Sequence, residues 1–97
     1  MNDNDLVFLN TLQDIIRDRL ENPTDGSYTA SLVASGPQRV AQKIGEEGVE
    51  LALASVSGER NDVINESADL VYHLLVLLST HGISLAEVVS TLESRHR

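Results

Sequence analysis

Carboxylates fall in two short clusters at helical spacing: Glu46, Glu47 and Glu50 in one, Glu66 and Asp69 in the other. Residues three or four apart share a face of an α-helix, so each cluster presents its acids together. Two such helices packed antiparallel would bring these side chains into one space. Like charges at that range repel unless a cation lies among them. Magnesium suits that role because it prefers hard oxygen ligands. The pattern therefore predicts an enzyme that handles phosphate groups through a divalent ion.

The stretches that carry these acids have an unusual cross-section. A helix is expected from Gly36-Pro37, where proline suits a first turn, to about Val56. On it Arg39, Lys43, Glu46 and Glu50 form one stripe, with Gln42 and Glu47 at its edges. Val40, Ile44 and Leu51 lie to one side, and Val49, Leu53 and Val56 to the other. Ala41, Gly48 and Ala52 occupy the back, where small side chains admit another helix. An ordinary surface helix has one apolar stripe on a polar background. Here the polar stripe is the minority, so its acids are expected to look into a pocket.

The next helix, from about Asn61 to Thr80 and ended by Gly82 at a C′ position, repeats the design. Asp62, Glu66, Asp69 and His73 share a stripe among Val63, Ile64, Leu70, Val71, Leu74, Leu75 and Leu77. From Leu74 to Leu78 the helix is apolar on every side, which implies burial in a bundle or at a subunit interface. The linker, about Ser57 to Arg60, is short enough for an antiparallel pair. In that pair Glu50 is expected to approach Glu66.

Two further helices complete the reading. One runs from about Asp5 to Glu21 with Leu6, Leu9, Leu12, Ile15, Ile16 and Leu20 at helical spacing. The other opens with a capping box, Ser84 and Glu87, and carries Leu85, Val88, Val89 and Leu92. Between Asn22-Pro23-Thr24-Asp25-Gly26 and Ser35-Gly36-Pro37, residues Ser27 to Ala34 form a helical turn or two. No stretch alternates with period two, so the fold class is all-α, a bundle of four main helices. Its 97 residues make one domain, 1–97, of a size often helped by oligomerisation.

Composition removes several function classes. The net charge of −8 argues against a nucleic-acid surface, which needs clustered Lys and Arg. The N-terminus, Met1-Asn2-Asp3-Asn4-Asp5, is acidic and precedes no signal-type apolar run. The Leu74–Leu78 run is too short to cross a bilayer, so a soluble protein with no membrane partner is expected. The absence of cysteine fits a reducing cytoplasm.

Other charged residues have plainer readings. Asp3, Asp5, Asp14, Asp18, Glu21 and Asp25 are read as solvated surface. His73 is read as a satisfied buried histidine rather than a ligand, since magnesium disfavours imidazole. His81 and His96 fall at helix ends, where a cation suits the dipole. Arg39 and Lys43 either balance the acids one turn away or hold phosphate oxygens.

Glu46-Glu47-Gly48-Val49-Glu50 followed by Glu66-Ser67-Ala68-Asp69 resembles the E-E-x-x-E … E-x-x-D pattern of the MazG-like, all-α nucleotide pyrophosphohydrolases. Ser27-Tyr28-Thr29, Gln42-Lys43-Ile44-Gly45-Glu46-Glu47 and the run Ala68 to Leu78, with Tyr72-His73 inside it, are similar to the phosphoribosyl-ATP pyrophosphatase family in particular. The likeness covers nearly the whole chain. It implies hydrolysis of phosphoribosyl-ATP to phosphoribosyl-AMP and pyrophosphate, the second step of histidine biosynthesis, with Mg2+ as cofactor. It implies Glu47, Glu50, Glu66 and Asp69 as metal ligands. Glu46 then stands behind them or orients the attacking water. Arg39 and Lys43 would clamp phosphates, and the Ser27-Tyr28-Thr29 segment would close over the substrate, with Ser27 and Tyr28 binding it and Tyr28 stacking on a base or ribose. The family is dimeric, so a homodimer is expected, burying part of the helices from Gly36 onward. The family is often fused to a cyclohydrolase, and this chain is expected to be the free-standing form. Two alternatives stay open: a related pyrophosphohydrolase acting on dUTP or damaged nucleoside triphosphates, and a non-enzymatic helical module whose acids bind a basic partner.

Overall fold

The computed structural model describes residues 3–97, with side chains from Asp5 onward. Met1 and Asn2, and the surface reading of the Asp3 side chain, lie outside the described residues. Every regular element described is an α-helix: α1 (Asp3–Glu21), α2 (Tyr28–Ala34), α3 (Pro37–Ser57), α4 (Arg60–Thr80) and α5 (Leu85–Arg95). The all-α expectation holds, and the four long helices fall within a few residues of their expected bounds.

Local chemistry explains the boundaries. Ser27 caps α2, its hydroxyl accepting from the Ala30 N–H at 3.2 Å. Proline opens α3 directly after Gly36. Ser84 and Glu87 form the expected capping box, with the Glu87 carboxylate accepting from the Ser84 N–H at 2.7 Å. Gly58 ends α3 in the left-handed region (φ 79°), a conformation that glycine adopts without steric cost. His81 and His96 are the C-cap residues of α4 and α5.

Only Gly58 and Glu59 separate α3 from α4, so these two 21-residue helices fold back on one another as a hairpin. The buried line of α3 runs through Val40, Glu47 and Ala54, with the half-buried Ile44 and Leu51 between them. The facing line of α4 runs through Val63, Glu66, Leu70 and His73. Alternating steps of three and four residues keep such a line on one side of a helix. Behind the hairpin, Ile16 of α1, Leu32 of α2, Val40 of α3 and Leu75 and Val76 of α4 form the core. Each such side chain stabilises the fold by about 1.5–3 kcal/mol when fully removed from water.

Several apolar positions depart from expectation. Leu6 and Ile15 are exposed, because the inward line of α1 passes through Leu12, Gln13, Ile16 and Leu20. Leu74 is also exposed, while Leu75, Val76 and Leu78 are buried as expected. Among the described residues no helix covers the small-residue back of α3: Ala41 and Ala52 are exposed, and a Cβ added at Gly48 would meet nothing within 4 Å. Among the described residues no single helix is long and apolar enough to cross a membrane.

Candidate metal centre

Glu47 sits on the inward line of α3 and is only 5% exposed. Facing it across the hairpin, Glu66 and Asp69 lie one turn apart on α4. Each of the three offers a carboxylate oxygen, and these oxygens all lie within 4.8 Å of one another. A buried carboxylate oxygen with no partner is costly, yet Oε2 of Glu47 and Oε2 of Glu66 are both buried and without a hydrogen-bond partner. Negative, unpartnered oxygens converging from two helices fit a hard cation. The acidic group thus has the chemistry to bind a metal.

The basic residues of α3 line one edge of this group. Lys43 Nζ lies 3.3 Å from Glu47 and 3.4 Å from Glu46. The bond to Glu47, and then that to Glu46, hold its pKa above the ordinary lysine value against the opposing effect of burial. Arg39 reaches Glu46 at 3.7 Å. Glu46 also accepts from the Gln42 side chain at 2.7 Å, and that bond first, then the Lys43 and Arg39 cations, hold its carboxyl below the ordinary range against burial. Glu46 is therefore engaged by three neighbours on its own helix and stands outside the group of three.

Glu50 departs most from the expected geometry. It is exposed and does not join the converging oxygens; Glu47, expected at the stripe's edge, is the acid of α3 that meets Glu66. The reason is angular. Successive residues are turned by about 100° around a helix, and the α3–α4 contact is centred on the Val40–Glu47–Ala54 line. Glu50 instead lines a shallow surface hollow with Gln42, Gly45, Glu46 and Val49.

Ser27, Tyr28 and Thr29 are all engaged in holding α2. Ser27 is the N-cap. The Tyr28 hydroxyl is hydrogen-bonded to His73 Nε2 at 2.9 Å, and the buried Thr29 hydroxyl to that of Tyr72. His73 is buried and satisfied, as expected, with its Nδ1 bonded to the Asp69 carbonyl at 2.8 Å. Two roles escaped the sequence reading. One is the pairing of residues 28 and 29 with 73 and 72; its only signal was two polar rings set in an apolar run. The other is Gln13, buried on the apolar line of α1, whose Oε1 accepts from the Leu85 N–H at 2.7 Å.

Comparison with known proteins bears on what this geometry is for. Residues 9–96 match the family model described as phosphoribosyl-ATP pyrophosphohydrolase. The chain is 50% identical over 91 residues to the histidine biosynthesis bifunctional protein HisIE of Photobacterium profundum, covering 94% of this chain and 44% of that protein. It is 47% identical over 91 residues to the protein of the same name from Escherichia coli, covering 94% and 45%. Against that of Buchnera aphidicola subsp. Schizaphis graminum it is 44% identical over 95 residues, covering 98% and 46%. The chain thus spans less than half the length of these curated relatives.

Proposed function

The chain belongs to the phosphoribosyl-ATP pyrophosphohydrolase family, and we propose that it hydrolyses phosphoribosyl-ATP to phosphoribosyl-AMP and pyrophosphate in histidine biosynthesis. The observation that carries this reading is the pair of buried, unpartnered oxygens on Glu47 and Glu66 beside Asp69. Glu47, Glu66 and Asp69 would hold Mg2+, with Glu50 as a fourth ligand by the family pattern. When bound, the ion neutralises charge on the phosphoryl oxygens and on the departing pyrophosphate.

The chain's own residues account for the rest. Lys43, whose pKa is held up by Glu47, and Arg39 would hold phosphate oxygens at the edge of the acidic group. A carboxylate of the group, or Glu46 beside it, orients a water in line with the α-phosphorus and takes its proton. The water oxygen bonds to that phosphorus as the bridging bond to the β-phosphate breaks, and pyrophosphate leaves. Ser27 and Tyr28 are the substrate-facing residues of α2 in this reading. A homodimer belongs to it as well, supported by the uncovered apolar residues Val49, Leu53 and Val56 of α3 and Ile64 and Val71 of α4. A cytoplasmic setting suits the cysteine-free composition.

The test is direct. Purified chain, phosphoribosyl-ATP and Mg2+ should release pyrophosphate, far faster than from dUTP or other ordinary triphosphates. Excess chelator should stop the release and added Mg2+ restore it. Full activity in chelator would remove the metal reading, and a preference for ordinary triphosphates would reassign the substrate.

A further inference from the structure

His73 lies on α4 one turn beyond Asp69 and touches both the acidic group's backbone and α2. A carbonyl oxygen only accepts, so the 2.8 Å contact between His73 Nδ1 and the Asp69 carbonyl requires the proton on Nδ1. In the neutral ring, Nε2 is then an acceptor, and the Tyr28 hydroxyl donates to it at 2.9 Å. The phenol is thereby turned inward and its hydroxyl is committed. Its ring meets His73 edge-on, with centroids 5.8 Å apart, and lies tilted beside Tyr72 at 6.2 Å. Even so, Tyr28 is 51% exposed. Through His73 the exposed Tyr28 is tied to the backbone of Asp69, one of the three converging acids.

We propose that His73 is a positioning residue that anchors the Tyr28 hydroxyl and holds the exposed Tyr28 ring as a preset platform for the planar or sugar part of the nucleotide. This rests on the proposed hydrolysis and goes beyond it in two respects. It assigns a role to His73, and it makes the Tyr28 contact one of ring surface rather than of hydroxyl. A loose side chain must be immobilised when substrate binds, which weakens affinity roughly 2- to 10-fold. A ring anchored beforehand avoids that loss.

The experiment compares Tyr28→Phe, His73→Leu, the double variant and His73→Gln in the full chain with phosphoribosyl-ATP and Mg2+. Each of the first two should raise KM roughly 2- to 10-fold, with kcat within about twofold. The double variant should be no worse than either single one, because both remove the same bond. His73→Gln, whose amide oxygen can accept from Tyr28, should recover most of the loss. Ring-nitrogen NMR, which needs no substrate, should show His73 protonated at Nδ1, with an Nε2 resonance that moves in Tyr28→Phe. A His73 that merely supports the fold would lower the melting temperature of His73→Leu without moving KM in Tyr28→Phe. Wild-type turnover with an unmoved KM in Tyr28→Phe overturns the platform while leaving the assigned reaction standing. A proton on Nε2 alone overturns it whatever the turnover. A wild-type chain without turnover overturns the reaction and the platform's purpose together.

Discussion

Glu47 combines deep burial with an incomplete set of partners. One of its oxygens meets Lys43, and the other has no hydrogen-bond partner, as is also true of Oε2 of Glu66. A buried acid in that state is held by the fold against its own desolvation cost, which a ligand can offset. Replacing Glu47 with Gln, or Asp69 with Ala, should therefore abolish magnesium binding in calorimetry. Turnover should fall by about 10²-fold or more, since a bound metal supplies several kcal/mol of charge stabilisation. The metal-free melting temperature should stay level or rise, because mutual repulsion is relieved. Glu50→Ala, made alongside, should also lose turnover if a fourth acid closes on the ion. Wild-type metal affinity in Glu47→Gln or Asp69→Ala would remove the centre described here.

Beside the apolar core, the short helices α2 and α5 are held in place by a few polar bonds between distant stretches. The first turn of α2 is tied to α4 through Tyr28 and Thr29, and α5 has no fully buried residue of its own. What fixes the start of α5 is Leu85, which packs against the core and donates its N–H to the buried Gln13 of α1. A first-turn amide has no partner inside its own helix, so this side chain satisfies an otherwise orphaned donor. Gln13→Ala should cost about 1–3 kcal/mol through the unpaired amide and the lost packing, read as a lower urea midpoint with little change in m-value. An unchanged midpoint would show that water replaces the glutamine without loss.

Among the described residues, the α3–α4 hairpin leaves several large apolar side chains uncovered. Val49, Leu53 and Val56 recur along one side of α3, and Val56 is 86% exposed. Ile64, Val71 and Leu74 are likewise uncovered on α4. Large exposed apolar patches are rare on monomers and mark contact faces, and these residues are read as such a face. A two-fold pairing of hairpins would cover the same stripe on both copies. Light scattering should give a dimer for the wild type and a monomer for Leu53→Glu combined with Val56→Glu. A wild type that is monomeric at assay concentration would leave this face without the proposed function.

Features that depend on near neighbours were legible in the residues alone: four long helices, their caps and glycine stops, the α3–α4 hairpin, and two acid-bearing faces pointing at one another. Each follows from spacing within a turn or two, where backbone geometry leaves little freedom. Which edge of the acidic face turns inward was not legible, and emerged only from the packed molecule. Glu46 and Glu47 differ by a single residue step, yet the first pairs with Gln42, Lys43 and Arg39 on its own helix while the second is buried opposite Glu66. The crossing of α3 on α4 sets that choice, through packing along the whole Val40–Glu47–Ala54 line rather than any local preference. The same holds for Tyr28 and His73, 45 residues apart, and for Gln13 and Leu85, 72 residues apart. No periodicity links such positions, because each hydrogen bond exists only once separate helices have been brought side by side.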